Sequence, residues 1–373
     1  MRRRRPERGL LGARGGARRG RDGQARLEAP DHDAGRRGHG ADGPEADRRA
    51  GGRRRRSARH REFRDERRGD GEARLVSLLS AAALAGAAGV AAWAGWIEPR
   101  WLRVKRFQAA LPGLAAPLRA VAIGDLQPYL HHWPARRLRA AFARAAAERP
   151  DIVFWLGDYY NAPTKGLRRL LDLSGLGPLY ARTCTPMAEI AAEMGRLTAP
   201  MGAWAVLGNH DWAWDGAACA DALRSVGITP LIGEAAETRC PRSGARLAVI
   251  GLDDASSGRA AGWDRLRGAW SEPAVLLTHA PDVWAALDAP PALTLAGHGH
   301  GGQIAPPGVG PTRLPYLARN HPRGWYRRAR DGARLYVTNG LGTSAPPLRF
   351  GAPPEIVVLD LSPAQPTGYA PIL

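Results

Sequence analysis

Five short polar clusters containing aspartate, asparagine or histidine recur along this 373-residue chain, and four of them include glycine. Carboxylate, amide and imidazole groups suit Mn, Fe, Zn or Co, and none of the clusters contains the thiol that a softer metal would favour. The flanking glycines permit sharp turns and a close approach of the backbone. In chain order the clusters are Gly124-Asp125-Leu126-Gln127, Gly157-Asp158, Gly208-Asn209-His210-Asp211, Thr278-His279 and Gly297-His298-Gly299-His300-Gly301-Gly302-Gln303.

Each cluster alone is weak evidence for a site, because a single Gly-Asp pair is a common turn and a lone histidine is usually structural. The number of histidines within the clusters is stronger evidence. After the basic N-terminal segment the chain has seven histidines, and four of them, His210, His279, His298 and His300, belong to these clusters. We therefore interpret the clusters as parts of one site. The remaining three, His131, His132 and His321, are expected to be surface or supporting residues, with His131 or His132 as an alternative metal ligand.

Each cluster follows a short apolar run typical of a buried strand. Segments with helical spacing and polar faces lie between the runs, at residues 134–148, 187–197 and 215–226. This alternation predicts an α/β layered domain, in which ligands bind at the carboxyl ends of the strands. The apolar runs cover residues 120–123, 152–156, 203–207, 247–252, 274–277, 293–296, 335–337 and 356–361.

The ordered motifs resemble the calcineurin-like metallophosphoesterases over about residues 118–361. The block from Gly297 to Gln303, the segments 340–344 and 348–351, and the pair Pro354-Glu355 are similar to the bacterial membrane-anchored, YkuE/YaeI-like branch. The resemblance implies a two-layer β-sandwich flanked by helices, with a dinuclear metal centre that activates water to hydrolyse phosphoester bonds.

The resemblance also implies a role for each cluster residue. Asp158 would bridge two divalent metal ions, and His210 would be a catalytic residue facing the substrate, with Asp211 orienting its ring. One ion would be completed by Asp125, Gln127 and His300, and the other by Asn209, His279 and His298.

Gln127 departs from the family pattern, which usually has histidine there. An amide oxygen ligates more weakly than imidazole, so the identity and occupancy of the first metal stay open. Glutamine at this position also occurs in manganese-dependent ADP-ribose/CDP-alcohol diphosphatases of the same superfamily. We therefore expect manganese, with Fe, Zn and Co as alternatives.

Residues 75–97 carry no charge and are long enough to cross a membrane as a helix. A transmembrane helix or signal anchor is predicted, although a buried soluble helix and a signal peptide cleaved near Ala92-Trp93-Ala94 are alternatives. More arginines precede the span than follow it closely, which favours a cytoplasmic N-terminus. We expect a single-pass protein of the inner (plasma) membrane with its catalytic domain on the periplasmic side.

The net charge of +19 is concentrated in the N-terminal segment, where residues 1–74 hold 24 Arg against 13 Asp and Glu. We expect residues 1–72 to be a disordered basic tail or a mis-called start. A nucleic-acid-binding tail is disfavoured because Phe63 is its one aromatic residue. The expected organisation is tail 1–72, span 75–97, linker 98–117, metallophosphoesterase domain 118–362 and C-terminal tail 363–373.

The sequence predicts a phosphodiesterase or diphosphatase, and an insert at residues 162–186 bears on its substrate. Leucines beside basic residues there, followed by Trp212 and Trp214, favour a lipid or lipid-linked substrate; a packed cap helix and core tryptophans are the alternatives. A membrane scaffold with a degenerate metal site and a nucleotide or nucleic-acid phosphodiesterase are the other functions considered. No specific nucleic acid and no protein partner are predicted. The three cysteines fit neither a disulfide framework nor a thiolate zinc site.

Overall fold

The structure is a computed structural model that describes residues 44–128, 134–163, 165–259 and 263–364. His131 and His132 lie outside the described residues. The chain divides into two units, Met1–Val76 and Ser77–Leu373. In the first unit the described residues belong to helix α1 (Pro44–Ala92). Residues 44–72, for which no fold was predicted, are therefore helical, and their many arginines are good helix formers.

The apolar part of α1 leads into the second unit. Among the described residues, Glu72–Arg100 is the one helical segment long and apolar enough to cross a membrane, and its most apolar stretch is not buried against other parts of the protein. The segment ends in a π-helical turn, Trp93–Ile97, and a 3-10 turn, Glu98–Arg100. Strand β1 (Arg103–Leu111) follows, so the predicted linker 98–117 is largely part of the folded domain.

The described strands form two six-stranded sheets, which confirms the predicted two-layer α/β fold. Within the first sheet β12 is antiparallel to β2, while the other neighbours run parallel. In spatial order the first sheet contains β1, β12 (Glu355–Pro363), β2 (Leu118–Ile123), β3 (Ile152–Trp155), β4 (Ala203–Ala205) and β5 (Ile228–Pro230). The second contains β10 (Gly324–Arg327), β11 (Arg334–Val337), β9 (Leu293–Ala296), β8 (Ala274–Thr278), β7 (Arg246–Gly251) and β6 (Glu234–Arg239).

The main core lies between the sheets, where apolar side chains such as Phe154, Val249 and Leu277 are fully buried. A second core lies between the first sheet and helices, and contains Phe142 and Trp155 in edge-to-face contact. Central strands are thus buried on both faces, as their continuous apolar runs predict. The helices after α1 are α2 (Ala135–Ala147), α3 (Lys165–Ser174), α4 (Gly177–Ala181), α5 (Met187–Met194), α6 (Asn209–Ser225), α7 (Trp263–Leu266) and α8 (Val283–Ala286).

Helix α6 begins at Asn209, earlier than the predicted start at residue 215. The reason is local capping: the Asp211 carboxylate accepts the backbone N–H of Gly208, an arrangement that stabilises a first turn. Asp215 itself has an extended backbone (φ −165°, ψ 97°) and interrupts the helix. The first turn therefore fixes Asn209 and His210 directly after β4.

Candidate metal centre

Three buried side chains from the ends of three strands form the first group of potential metal ligands. Asp158 follows β3, His279 follows β8 and His298 follows β9, and one ligand atom from each lies within 4.8 Å of the others. These strands belong to both sheets, so the site is built across the sandwich at the edge where the parallel strands end. This is the location that the alternating fold predicts.

Backbone carbonyl groups determine which ring nitrogens carry protons. His279 Nδ1 lies 2.8 Å from the Leu156 carbonyl oxygen, and His298 Nε2 lies 2.7 Å from that of Tyr316. A carbonyl oxygen accepts but cannot donate, so both of these nitrogens donate. In the neutral rings, His279 Nε2 and His298 Nδ1 therefore present lone pairs to each other at 3.1 Å.

Two oxygen atoms complete this cluster of acceptors. The Asn209 side-chain oxygen and Asp158 Oδ2 each lie 3.3 Å from His279 Nε2. Four lone-pair atoms this close have no proton to share when both rings are neutral, and a cation among them satisfies all four. Nitrogen and oxygen donors of this kind fit a divalent transition metal.

A second group consists of Asp125, Asp158 and His300, again buried and with ligand atoms within 4.8 Å of one another. Asp158 belongs to both groups, so its carboxylate lies between two candidate cation positions. His300 Nδ1 is buried with no hydrogen-bond partner among the described residues. Burial, with Arg349 nearby, holds the pKa of His300 well below its usual value, so the ring is neutral and offers a lone pair.

Gln127 lies beside Asp158, to which its amide nitrogen donates a hydrogen bond of 2.8 Å. Its amide oxygen is buried without a partner in the described part of the chain. Leaving a buried acceptor without a hydrogen-bond donor costs about 1–3 kcal/mol of folding stability. The amide oxygen of Gln127 is therefore available as a further ligand of the second group. Both buried orphan atoms, on Gln127 and His300, thus fit a bound cation.

The carboxyl groups of Asp125 and Asp158 and the ring of His279 are deeply buried, and their charges influence one another. Burial raises the pKa of Asp125 to about 7, despite the opposing charge of His279. Burial alone would raise the pKa of Asp158 and lower that of His279, but their mutual attraction outweighs it and shifts both pKa values the other way. The pocket therefore stabilises positive charge next to Asp158.

His210 and Asp211 lie beside this cluster but differ from the prediction. The backbone N–H of His210 donates to Asp158 Oδ1 at 2.8 Å, and its ring Nδ1 lies 2.5 Å from the Ala162 carbonyl oxygen. The Asp211 carboxylate is instead occupied by the backbone N–H groups of Asp158, Tyr159, Tyr160 and Gly208. The expectation that Asp211 orients the His210 ring is therefore wrong: Asp211 holds two loops together, and Ala162 contacts the ring.

Two glycines allow the backbone to approach the carboxylates. A Cβ atom on Gly208 would lie 2.2 Å from Asp158 Oδ1, and one on Gly340 would lie 2.5 Å from the Asp125 Cβ. Gly340 also has a positive φ of 68°, which residues with side chains rarely adopt. The pocket around the carboxylates thus depends on residues that have no side chain.

Arg349 is a buried residue to which the sequence assigned no role. Its fully buried guanidinium donates to the carbonyl oxygens of Asn339, Gly342 and Ala352 and lies 3.5 Å from that of His300. Burial lowers the pKa of Arg349 to about 10, which leaves it charged at neutral pH. It therefore ties together the loops that position His300 and Gly340.

The same segment is joined to the end of the apolar helix. The backbone N–H of Arg349 donates to the Ala94 carbonyl oxygen at 2.8 Å. Buried Glu98 accepts the Ala352 N–H through one oxygen and the Trp93 indole N–H through the other, both at 2.7 Å. The helix end is therefore packed into the domain against the loop between β11 and β12.

Other residues singled out in the sequence lie outside the cluster. His321 Nδ1 contacts Asp282 at 2.8 Å, and the ring packs edge-to-face against Trp284 and Tyr326. Trp212 is partly buried and donates to Asp253, so it is partly structural. Trp214 is 38% exposed and stacks on Tyr160. The cysteines Cys184, Cys219 and Cys240 are free and buried.

A model of the family described as calcineurin-like phosphoesterase matches residues 118–302. The chain is 30% identical to the uncharacterized metallophosphoesterase YkuE of Bacillus subtilis, over 57% of this chain and 68% of the relative. It is 27% identical to phosphodiesterase YaeI of Escherichia coli, over 71% and 90% respectively. It is also 26% identical to the UDP-2,3-diacylglucosamine pyrophosphatase LpxG of Chlamydia trachomatis, over 72% and 91%.

Gly208→Ala tests the steric requirement next to Asp158. The added methyl group meets the carboxylate at 2.2 Å, so we expect a loss of about 1–3 kcal/mol in stability and less metal bound per chain. Elemental analysis and thermal unfolding measure both. Gly177→Ala is the matched control, because a Cβ there meets nothing within 4 Å. Equal metal content in the two variants would contradict the crowding argument.

Arg349→Met tests the buried guanidinium. The substitution leaves several buried carbonyl groups without a donor, so we expect the free energy of unfolding to fall by about 3 kcal/mol or more. Chemical denaturation measures the change. Arg224→Met is the control, because Arg224 pairs with Asp221 at an exposed position and should cost less than about 1 kcal/mol. Similar losses in both variants would show that Arg349 does not hold these loops together.

Proposed function

The chain belongs to the calcineurin-like phosphoesterase family and is a phosphoric ester hydrolase, and from this premise we propose that it hydrolyses phosphodiester or diphosphate bonds of a lipid or lipid-linked substrate. The observation that carries the proposal is the cluster of lone-pair donors around His279, with Asp158 shared between two groups of ligands. Such an arrangement suits a pair of cations better than a structural hydrogen-bond network.

The residues fit two divalent ions. Bound together, such ions supply a water of lowered pKa and neutralise charge on the phosphoryl oxygens. Manganese is proposed because the amide oxygen of Gln127 and two carboxylates enrich one position in oxygen ligands. The proposed ligands are Asp125, Gln127, Asp158 and His300 at one position and Asp158, Asn209, His279 and His298 at the other.

His210 is proposed as the residue that assists the leaving group. The Ala162 carbonyl oxygen accepts a hydrogen bond from His210 Nδ1–H and fixes the ring, so Nε2 is the nitrogen that exchanges protons. When Nε2 is protonated, it can donate that proton to the departing oxygen or stabilise developing charge. Asp211 acts through the backbone: it holds the Asp158 and Gly208 loops against each other.

A lipid substrate is supported by two observations. LpxG, which resembles this chain over most of its length, is named for a diacylated sugar nucleotide diphosphate. The apolar helix ends in contact with the loop between β11 and β12, through the hydrogen bonds of Ala94 and Glu98, and Arg349 of that loop reaches the carbonyl oxygen of His300. A helix crossing a membrane would therefore hold the site close to the lipid surface.

The same contacts support a retained anchor over a cleaved signal. Trp93, Ala94 and Glu98 take part in the packing of the folded domain, so cleavage near Ala94 would remove part of it. We propose a single-pass protein of the inner membrane whose catalytic domain lies outside the cytoplasm. This orientation follows from the excess of arginines before the span, and the positive-inside tendency favours it.

A substrate screen of the purified full chain tests the proposal. With Mn²⁺ added, we expect hydrolysis of phosphodiesters and diphosphates, including a lipid-linked diphosphate, to exceed that of monoesters. Asp158→Asn should lose activity and bound metal together, because both ligand groups use this carboxylate. No hydrolysis and fewer than two ions per chain would favour a scaffold, and preference for nucleotides over lipids would favour the nucleotide phosphodiesterase.

His210→Ala separates catalysis from metal binding. We expect turnover to fall by about 10²- to 10⁴-fold while metal content is retained, because His210 assists proton transfer and only its backbone contacts Asp158. Steady-state kinetics and elemental analysis give the two readouts. His321→Ala is the control, since this ring packs among Asp282, Trp284 and Tyr326. Full activity in His210→Ala with normal metal loading would remove His210 from the mechanism.

A further inference from the structure

Helices α3 and α4 expose a row of leucines on the surface of the domain. Leu170, Leu173, Leu176 and Leu179 are 62%, 78%, 50% and 60% exposed, and we call them the leucine face. Leu170 and Leu173 lie three positions apart on α3, which brings them to one side of that helix, and Leu176 and Leu179 have the same spacing at the start of α4, after the turn at Gly175. The alternative of a packed cap helix predicts buried leucines, and the structure differs from it.

The segment that carries the leucine face is attached next to the candidate metal centre. Arg168 donates to the Ala213 carbonyl oxygen at 2.8 Å, three residues after His210. Tyr180 donates to the Asn161 carbonyl at 3.3 Å, and the neighbouring Ala162 carbonyl contacts the His210 ring. The helices are therefore held at the rim of the site while their leucines point outward.

Strand register places the end of the apolar helix at this same edge. Arg103, the first residue of β1, pairs with Glu355 at the start of β12, and Val357 pairs with Ala122 near the end of β2. Asp125 follows β2 directly. Strand β3 is parallel to β2, so α3, which follows β3, starts from this edge too. The helix end, the metal ligands and α3 thus share one edge of the first sheet.

Aromatic and basic residues at the helix end are those expected at lipid headgroups. Trp96 and Trp101 are 62% and 47% exposed. The Arg100 guanidinium lies 3.3 Å from the Trp96 ring centre, and that of Arg103 lies 4.0 Å from the Trp101 ring centre. Tryptophan and arginine concentrate where a membrane helix leaves the hydrocarbon. A membrane helix that ended here would place this edge of the first sheet at headgroup level.

We propose that the leucine face inserts into the membrane that the apolar helix crosses, so that the candidate metal centre opens toward the lipid surface. Residues 165–182 hold four basic residues against one acidic residue, Asp172, which suits anionic phospholipids. A strongly apolar face beside basic residues is the pattern of segments that lie in the interface. The inference rests on the membrane anchoring proposed above, but it requires no particular substrate.

Site-directed fluorescence on the full chain in lipid nanodiscs tests this contact. Leu173→Cys carries an environment-sensitive fluorophore, and the three natural cysteines are buried. Leu84→Cys, at a 73% exposed position within the apolar helix, reports on anchoring. Ser243→Cys is the control, because it is exposed in the turn before β7, at the opposite edge of the sandwich. The quenchers are lipids with a spin label either near the headgroup or near the end of the acyl chain.

We expect the Leu173 probe to be quenched more strongly by the headgroup label, the Leu84 probe by the chain-end label, and the Ser243 probe by neither. Replacing phosphatidylglycerol with phosphatidylcholine in the discs, or adding Arg169→Gln, should weaken quenching at Leu173 only. A Leu173 probe that behaves like Ser243 overturns the inference. So does one with blue-shifted emission that neither label quenches, because protein, such as a second copy, then covers the face.

The same measurements separate this inference from the proposals on which it rests. Quenching at Leu84 without quenching at Leu173 overturns the leucine-face contact and leaves anchoring intact. An unquenched Leu84 probe overturns both. Quenching at both positions in a protein that hydrolyses no phosphoester supports the membrane contact and contradicts only the proposed reaction.

Discussion

The site depends on the direction in which two imidazole rings present their lone pairs. Carbonyl oxygens of Leu156 and Tyr316 accept hydrogen bonds from His279 Nδ1 and His298 Nε2, which turns the other nitrogen of each ring toward its neighbour and toward two side-chain oxygens. Beside them, the Gln127 amide oxygen and His300 Nδ1 are buried without a hydrogen-bond partner among the described residues, which is uncommon in folded proteins. The surrounding structure, from the capped first turn of α6 to the glycines beside the carboxylates, keeps these atoms together and thereby defines a place for cations.

The central part of this fold is predictable from sequence because it is buried on both faces. All eight apolar runs form strands, and the polar clusters follow them at one edge of the sandwich. The strands that were missed, β1, β5, β6 and β10, are the outermost strands of the two sheets. Edge strands bury less surface and carry charged side chains, as in Arg103–Leu111, so their apolar pattern is weak.

The sequence predicts which residues meet at the candidate metal centre, but it does not predict their hydrogen-bond partners. The motif order brings together Asp125, Asp158 and the histidines, but it contains no information on the partner of Asp211, which depends on how two loops meet. Arg349 is a similar case. Its partners are backbone carbonyls of residues 300, 339, 342 and 352, and any sequence offers such groups everywhere.

Hydrogen bonds of Trp93, Glu98 and Arg349 join the end of the apolar helix directly to the domain, without a long linker between them. A tethered enzyme on a flexible stalk tumbles and meets molecules from bulk solution. If the apolar helix crosses a membrane as proposed, a domain joined directly to it would instead encounter substrates that diffuse laterally within the bilayer. Its rate would then follow the mole fraction of substrate among the lipids and would fall on dilution with inert lipid at constant total concentration.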